Sequence, residues 1–192
     1  MSGTAEVYTT ATLSPSKLEL LATWLPEQPW FDGDAANLTR VAHYRLVDPD
    51  GEVGLDGMLV ASGTTVYHVP VSWRAEPLAE GTLIGTAEHS ALGTRYCYDA
   101  TTDPVFVAEL LRVIREGDTA ADVESAETGE PIPQTLHVAG TGLPPTVDAL
   151  GQVRLARVLD AEHEDTRAAR GLLTATWNLE GSPREDVLAV LR

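Results

Sequence analysis

Cysteine is almost missing from this sequence of 192 residues: Cys97 stands alone. No internal disulfide can form, which fits a reducing compartment. Long hydrophobic runs are missing too, and the first residues, MSGTAEVYTTATLSPSK, offer neither a basic nor an apolar signal region. The expectation is a cytoplasmic protein with no membrane partner. Basic residues are scarce, with 13 Lys and Arg against 29 Asp and Glu, and the net charge is -16. Such a charge repels phosphate backbones and anionic lipid alike, so nucleic acid is not expected as a partner. What is present is ordinary. With 43% apolar and 22% charged residues, the chain lies far from the disordered regime and is long enough to bury a core unaided.

The common catalytic motifs are also lacking. The sequence contains no G-x-x-x-x-G-K-[ST], no G-x-G-x-x-G, no G-x-S-x-G and no H-E-x-x-H or paired C-x-x-C. Gly140-Thr141-Gly142, followed by Pro144 and Pro145, lacks a third glycine and cannot open a helix across two prolines; it reads as a turn. His43, His68, His89, His137 and His163 are isolated in sequence, with no i,i+3 or i,i+4 pair to hold one metal. Cys97, between Tyr96 and Tyr98, reads as a small apolar strand residue. No metal, no cofactor and no catalytic set is expected from these residues, and the chain leans away from being an enzyme.

The elements that are present begin with a helix in SPSKLELLATWLP. Ser14 can cap it, Pro15 suits a first turn, Ser16 and Glu19 have capping-box spacing, and Leu18, Leu21, Trp24 and Leu25 form a stripe. Three strand-like runs follow, Thr39–Val47, Leu55–Ala61 and Thr64–Trp73, divided by DPDGEVG and SGT, which is the spacing of an antiparallel meander. In the third run Tyr67, Val69, Val71 and Trp73 share one face, and Pro70 on the other argues for an edge or a bulge. Shorter strands are expected at Thr82–Ala87 and Thr94–Tyr98. DPVFVAELLRVIREG is then a helix capped by Asp103, with Phe106, Leu110, Val113 and Ile114 inward and Gly117 ending it.

From Glu116 to Val153 there is no Lys or Arg, and GDTAADVESAETGEPIPQ reads as an exposed acidic linker. Beyond it, Thr135–Ala139, Gln152–Leu159 and Gly171–Trp177 alternate as strands, and a terminal helix is expected from Ser182. The division is therefore 1–117, a linker at 118–133, and a small β-rich subdomain at 134–192.

Two groups of residues could carry chemistry. EHSALGTRYCYDATTDP brings His89, Arg95, Asp99 and Asp103 close in sequence. His89 and Asp99 could be a base and its orienter; alternatively Asp103 is a helix cap, Asp99 a turn acid or the partner of Arg95, and His89 a polar edge residue. The second group is WLPEQPWF, where Trp24, Trp30 and Phe31 form either a stacking platform or a plug over the sheet.

The stretches WLPEQPWFDGD, YRLVDPDGEVG, VYHVPVSWRAEPL and LIGTAEHSALGTRYCYDATTDPV, in this order, resemble the N-terminal cap domain of the bacterial maltokinases. The resemblance spans roughly residues 18–115 and implies a cystatin-like α+β fold, an antiparallel sheet curled around a helix. In that family the cap precedes an ATP-binding lobe and a catalytic lobe. The family's tryptophan-rich loop has an arginine and often a lysine where this chain has Pro29 and Asp34. No catalytic loop or metal motif follows, and Gln152–Leu159 offers only Arg154 and Arg157 in place of a phosphate-pairing lysine. The expected function is thus a non-catalytic cap-like module. It would bind or regulate a protein partner of maltose, trehalose or α-glucan metabolism, or form a homodimer. The alternative is a carbohydrate or nucleotide binder. Candidate surface residues are Trp30, Tyr67, Trp73, Arg74, His89, Arg95 and Asp99.

Overall fold

The computed structural model describes residues 3–144, 151–159 and 166–192; Pro145 and His163 lie outside them. Strand dominates. The elements are β1 (Thr4–Val7), β2 (Leu13–Ser14), α1 (Lys17–Trp24), β3 (Leu38–Val47), β4 (Gly54–Ser62), β5 (Thr65–Arg74), β6 (Leu83–His89), β7 (Gly93–Asp99), α2 (Pro104–Glu116), β8 (Asp122–Ser125), β9 (Leu136–Gly140), β10 (Val153–Leu155), β11 (Gly171–Leu179) and β12 (Ser182–Leu191). A six-stranded sheet runs β2-β6-β7-β5-β4-β3, a four-stranded sheet runs β10-β12-β11-β9, and β1 pairs with β8. The fold is thus α+β, with two helices against two antiparallel sheets. No helix among the described residues is long and apolar enough to cross a membrane.

The expected meander is present, with β4 antiparallel to both β3 and β5. Alternation assigns its two faces. Met58, Val60, Tyr67, Val69, Val71 and Trp73 pack under α1 with Leu20, Leu21, Trp24 and Leu25. Tyr44, Leu46, Leu55, Leu59 and Val66 face the other way, toward Phe106, Leu110, Val113 and Ile114 of α2 and the apolar side chains of β9, β11 and β12. The described apolar residues of β9, β11 and β12, with Ala156 and Leu159, therefore share one core with the six-stranded sheet.

Ser16, rather than Ser14, caps α1. Its hydroxyl accepts from the Glu19 amide while the Glu19 carboxylate accepts from the Ser16 amide. Asp103 and Gly117 bound α2 as expected. The last carbonyls of α2 receive amides from the loop after β9, Gly142 to Ile114 and Leu143 to Arg115, at 2.9 and 2.8 Å. That approach needs Gly140 bare, since a Cβ there would lie 2.0 Å from the Val113 carbonyl oxygen.

Two expectations are corrected. The segment at 118–133 is not an exposed linker throughout, because it contains β8, with Ala121 and Val123 buried. Its acids sit on the outer face while its few apolar residues point inward. The segment from Ser182 is a strand, not a helix. Glu180 and Gly181 both take positive φ, 51° and 85°, which makes a tight two-residue hairpin that sends Ser182–Leu191 back along β11.

The β7 ladder covers only Val71–Arg74 of β5. Farther along that edge, the His68 amide donates to Arg157 O at 2.9 Å and the Leu159 amide to Val66 O at 2.8 Å. Pro70 falls in the gap between His68 and the β7 ladder, which begins at Val71, so its missing N–H is not required and the local-edge reading of this proline holds. The side chain of His68, fully buried, lies 3.0 Å from the Tyr44 hydroxyl and 3.3 Å from Ala156 O. Nδ1 must carry the hydrogen toward the carbonyl, so Nε2 accepts from Tyr44.

Burial, reinforced by the Arg157 charge, lowers the pKa of His68 from 6.5 to about 3. The unfolded chain alone takes this proton between those values, so stability should fall as pH drops below 6.5. At pH 5 the loss from this residue is about 2 kcal/mol. Urea denaturation at pH 7 and pH 5 should show this drop in the wild type and a much smaller one in His68→Gln.

Candidate functional site

The residues singled out in sequence separate in space into three places along the six-stranded sheet. Tyr67 and Trp73 share a face of β5 but lie six residues apart, roughly 20 Å along the strand, with α1 packed between them. Trp30, just beyond α1, is half-buried: its ring lies 5.9 Å from Trp24, 6.2 Å from Tyr67 and 5.0 Å from the Arg157 guanidinium. Tyr67 is fully buried and donates its hydroxyl to Asp32. Trp30 thus fastens its loop as a partly exposed plug, and Trp30, Tyr67 and Trp73 do not form one platform.

His89 and Asp99 do not meet. His89 pairs with Gly93 at one end of the β6–β7 hairpin, and Asp99 closes β7 at the other. The lone pair on Nδ1 of His89 is taken up by the amides of Ala91 and Leu92, both at 3.2 Å. Burial and the neighbouring Arg95 charge lower its pKa further, leaving a neutral ring with its hydrogen on Nε2. A ring held in this way is poorly placed to serve as a general base. Asp99 is not bound to Arg95; it receives Arg157 at 2.7 and 2.8 Å and caps a 3-10 turn through the Thr101 amide. Arg157 therefore joins the loop after β10 to the base of α2, and nothing in the local sequence announces that pairing.

Asp103 does more than cap α2. Its carboxylate accepts from the Val105 amide at 3.0 Å, from Ser72 at 2.6 Å and from two nitrogens of Arg74 at 2.8 Å. Burial raises its pKa, but Arg74, Ser72 and the amide outweigh it and hold the acid ionised. Arg74 is thereby committed to structure.

Another buried carboxylate, Asp56, went unnoticed in the sequence. It lies on the α1 face of β4, bonded to Lys17 and 3.2 Å from Nε of Arg45. Burial opposes its charge, yet Arg45 and Lys17 hold its pKa far below the usual carboxylate range. The signal was an acid at an inward position of an apolar strand, GLDGMLV. The Lys17 ammonium also sits 5.7 Å over the Trp73 ring.

Beside this triad a groove of about 740 Å³ opens where α1 stops covering the sheet, bounded by Tyr8, Lys17, Asp48, Trp73, His89 and Arg95. It brings together three of the residues singled out in sequence and leaves out Trp30, Tyr67, Arg74 and Asp99. Among the described residues there is no cluster of three His, Cys, Asp or Glu side chains that could hold a metal ion. The Cys97 thiol is buried, which raises its pKa and keeps it protonated.

Replacing Asp103 with Ala should cost about 3 kcal/mol, more than the ~1 kcal/mol of a cap alone, because Arg74 and Ser72 lose their acceptor inside the protein. Trp30→Ala should cost about 2 kcal/mol, short of the value for a fully buried tryptophan. Urea unfolding of each variant measures both.

No solved structure matches the chain. A family model does match, that of the maltokinase N-terminal cap domain, over residues 24–103, from the end of α1 to the cap of α2, and no kinase-domain family was found with it. Over the meander and the β6–β7 hairpin, this chain resembles the maltokinase N-terminal cap domain.

Proposed function

We propose that the chain is a non-catalytic, cap-like module that binds and regulates a protein partner in maltose, trehalose or α-glucan metabolism. The observation that carries this reading is the match of residues 24–103 to the maltokinase cap. The spent chemistry of the site supports it. Asp99 and Asp103 are committed to arginines, Asp56 to Lys17 and Arg45, His68 is buried and neutral, and His89 has its lone pair engaged. Phosphoryl transfer needs a nucleotide cradle, metal-holding carboxylates and a group that positions the attacking hydroxyl, and these side chains have other tasks. The cystatin-like relationship belongs to the same proposal, supported by an antiparallel meander with α1 across one face.

Incubated with ATP, magnesium and maltose, the chain should release no sugar phosphate above the blank by phosphorus NMR. Turnover that copurifies with the protein and vanishes in a point variant would sink the non-catalytic reading. Affinity capture from the source cell should enrich an enzyme acting on maltose, trehalose or an α-glucan. Repeated capture without any enzyme of that class counts against the partner reading.

A further inference from the structure

The groove beside Trp73 presents hydrogen-bond donors that the fold itself does not use. Trp73 is 9% exposed, and its buried indole N–H has no acceptor among the described residues. A buried donor left in this way costs about 1–3 kcal/mol, so it calls for a physical reason. Trp73 pairs with Cys97, which places Arg95, two residues back along β7, on the same face. Arg95 is half-buried; its guanidinium donates to its neighbour's carbonyl, Thr94 O at 2.9 Å, and pairs with no carboxylate among the described residues. Ala87 pairs with Arg95, so His89, two residues on, also shares this face and turns Nε2–H outward from its own loop. The floor is thus a row of donors.

The opposite wall differs. It is formed by β1, with Glu6, and β8, with Glu124, and is closed by the β3–β4 turn, where Glu52 is exposed and the buried Asp48 carboxylate is taken up by the amides of Asp50, Glu52 and Val53. The wall is fastened independently of any ligand. β1 runs parallel to β8, and the carboxylate of Glu127 accepts from the amides and hydroxyls of Thr9 and Thr10 at 2.9–3.1 Å. At the rim Tyr8 and Leu92 are 41% and 40% exposed, with the Tyr8 ring edge-on to His89 at 5.6 Å. Lys17 and Arg45 share the single charge of Asp56, so this triad adds one net positive charge to the side of the donors.

Donors on one side, carboxylates on the other and an aromatic rim select a ligand whose polar groups both donate and accept. A hydroxyl does so in a single group. An anion would suit Arg95 but would face the acids of the opposite wall, and a cation the reverse. We propose that this groove binds a neutral, polyhydroxylated molecule of mono- to disaccharide size, with its oxygens accepting from Trp73, Arg95 and His89 and its apolar face against Tyr8. The site is independent of the protein-partner reading.

The test is a titration of the full chain with glucose, maltose, trehalose, glucose 6-phosphate and AMP, following the four tryptophan indole N–H signals by NMR. At least one neutral sugar should move the Trp73 signal saturably, with Trp73→Phe identifying that signal by its loss. Arg95→Ala and Tyr8→Ala should each weaken binding about tenfold while leaving the thermal midpoint within a few degrees. Both side chains are partly exposed, so these variants keep the test decisive if Trp73→Phe fails to fold. No saturable shift with any probe, or shifts confined to other tryptophans, would overturn the proposal. Tighter binding of glucose 6-phosphate or AMP than of every neutral sugar would overturn its charge assignment.

Discussion

The unfinished edge of β5 is the constraint on which the rest of the structure depends. β7 leaves that strand at Val71, and the amides and carbonyls beyond it must find other partners inside the protein. The residues after β10 supply them through Arg157 and Leu159. Because β10 itself pairs with β12, this short stretch ties the four-stranded sheet to the six-stranded one. Three further features converge on the same seam: the Tyr44–His68–Ala156 chain, the Arg157–Asp99 pair, and the Arg157 guanidinium over Trp30. A backbone requirement at one edge thereby fixes a neutral histidine, a buried ion pair and the loop after α1.

The second constraint is that the central sheet is apolar on both faces. A sheet of this kind must be covered twice, and the two helices divide the work. α1, only eight residues long, covers the face of Met58, Val69 and Val71. α2, together with the four-stranded sheet, covers the face of Leu55, Leu59 and Val66. Since α1 is short, the sheet face extends beyond its first residue, and the groove over Trp73 is the uncovered remainder.

Charge is distributed by the same logic. In a chain of net charge -16, many of the scarce cations are held against buried or half-buried acids: Lys17 and Arg45 on Asp56, Arg74 on Asp103, Arg157 on Asp99, Arg184 on Asp186. Buried acids need such partners to remain ionised. The excess acids remain in the solvated turns and outer strand positions, where their repulsion is screened. This accounting explains why the acid-base pairs suggested by sequence proximity dissolved: nearness along a hairpin placed His89 and Asp99 at its opposite ends.

The sequence by itself determined the local elements whose cause lies within a few residues. The capping signals of Ser16, Asp103 and Gly117, the alternation of Tyr67 through Trp73, the turn chemistry of the meander and the edge character of Pro70 were all legible, because each depends on short-range geometry. The ordered motifs from Trp24 to Val105 were enough to indicate the family resemblance. Only the tertiary structure decided what depends on distant partners. It turned the segment from Ser182 into a strand, since ten residues with a serine–proline start satisfy a helix pattern until β11 supplies a ladder and Glu180-Gly181 a tight turn. It drew β8 out of an acidic stretch because β1, more than a hundred residues earlier, pairs with it. It also assigned Asp99 to Arg157 instead of Arg95, and set Trp73, Arg95 and His89 side by side, because register across strands, not order along the chain, determines which side chains share a face.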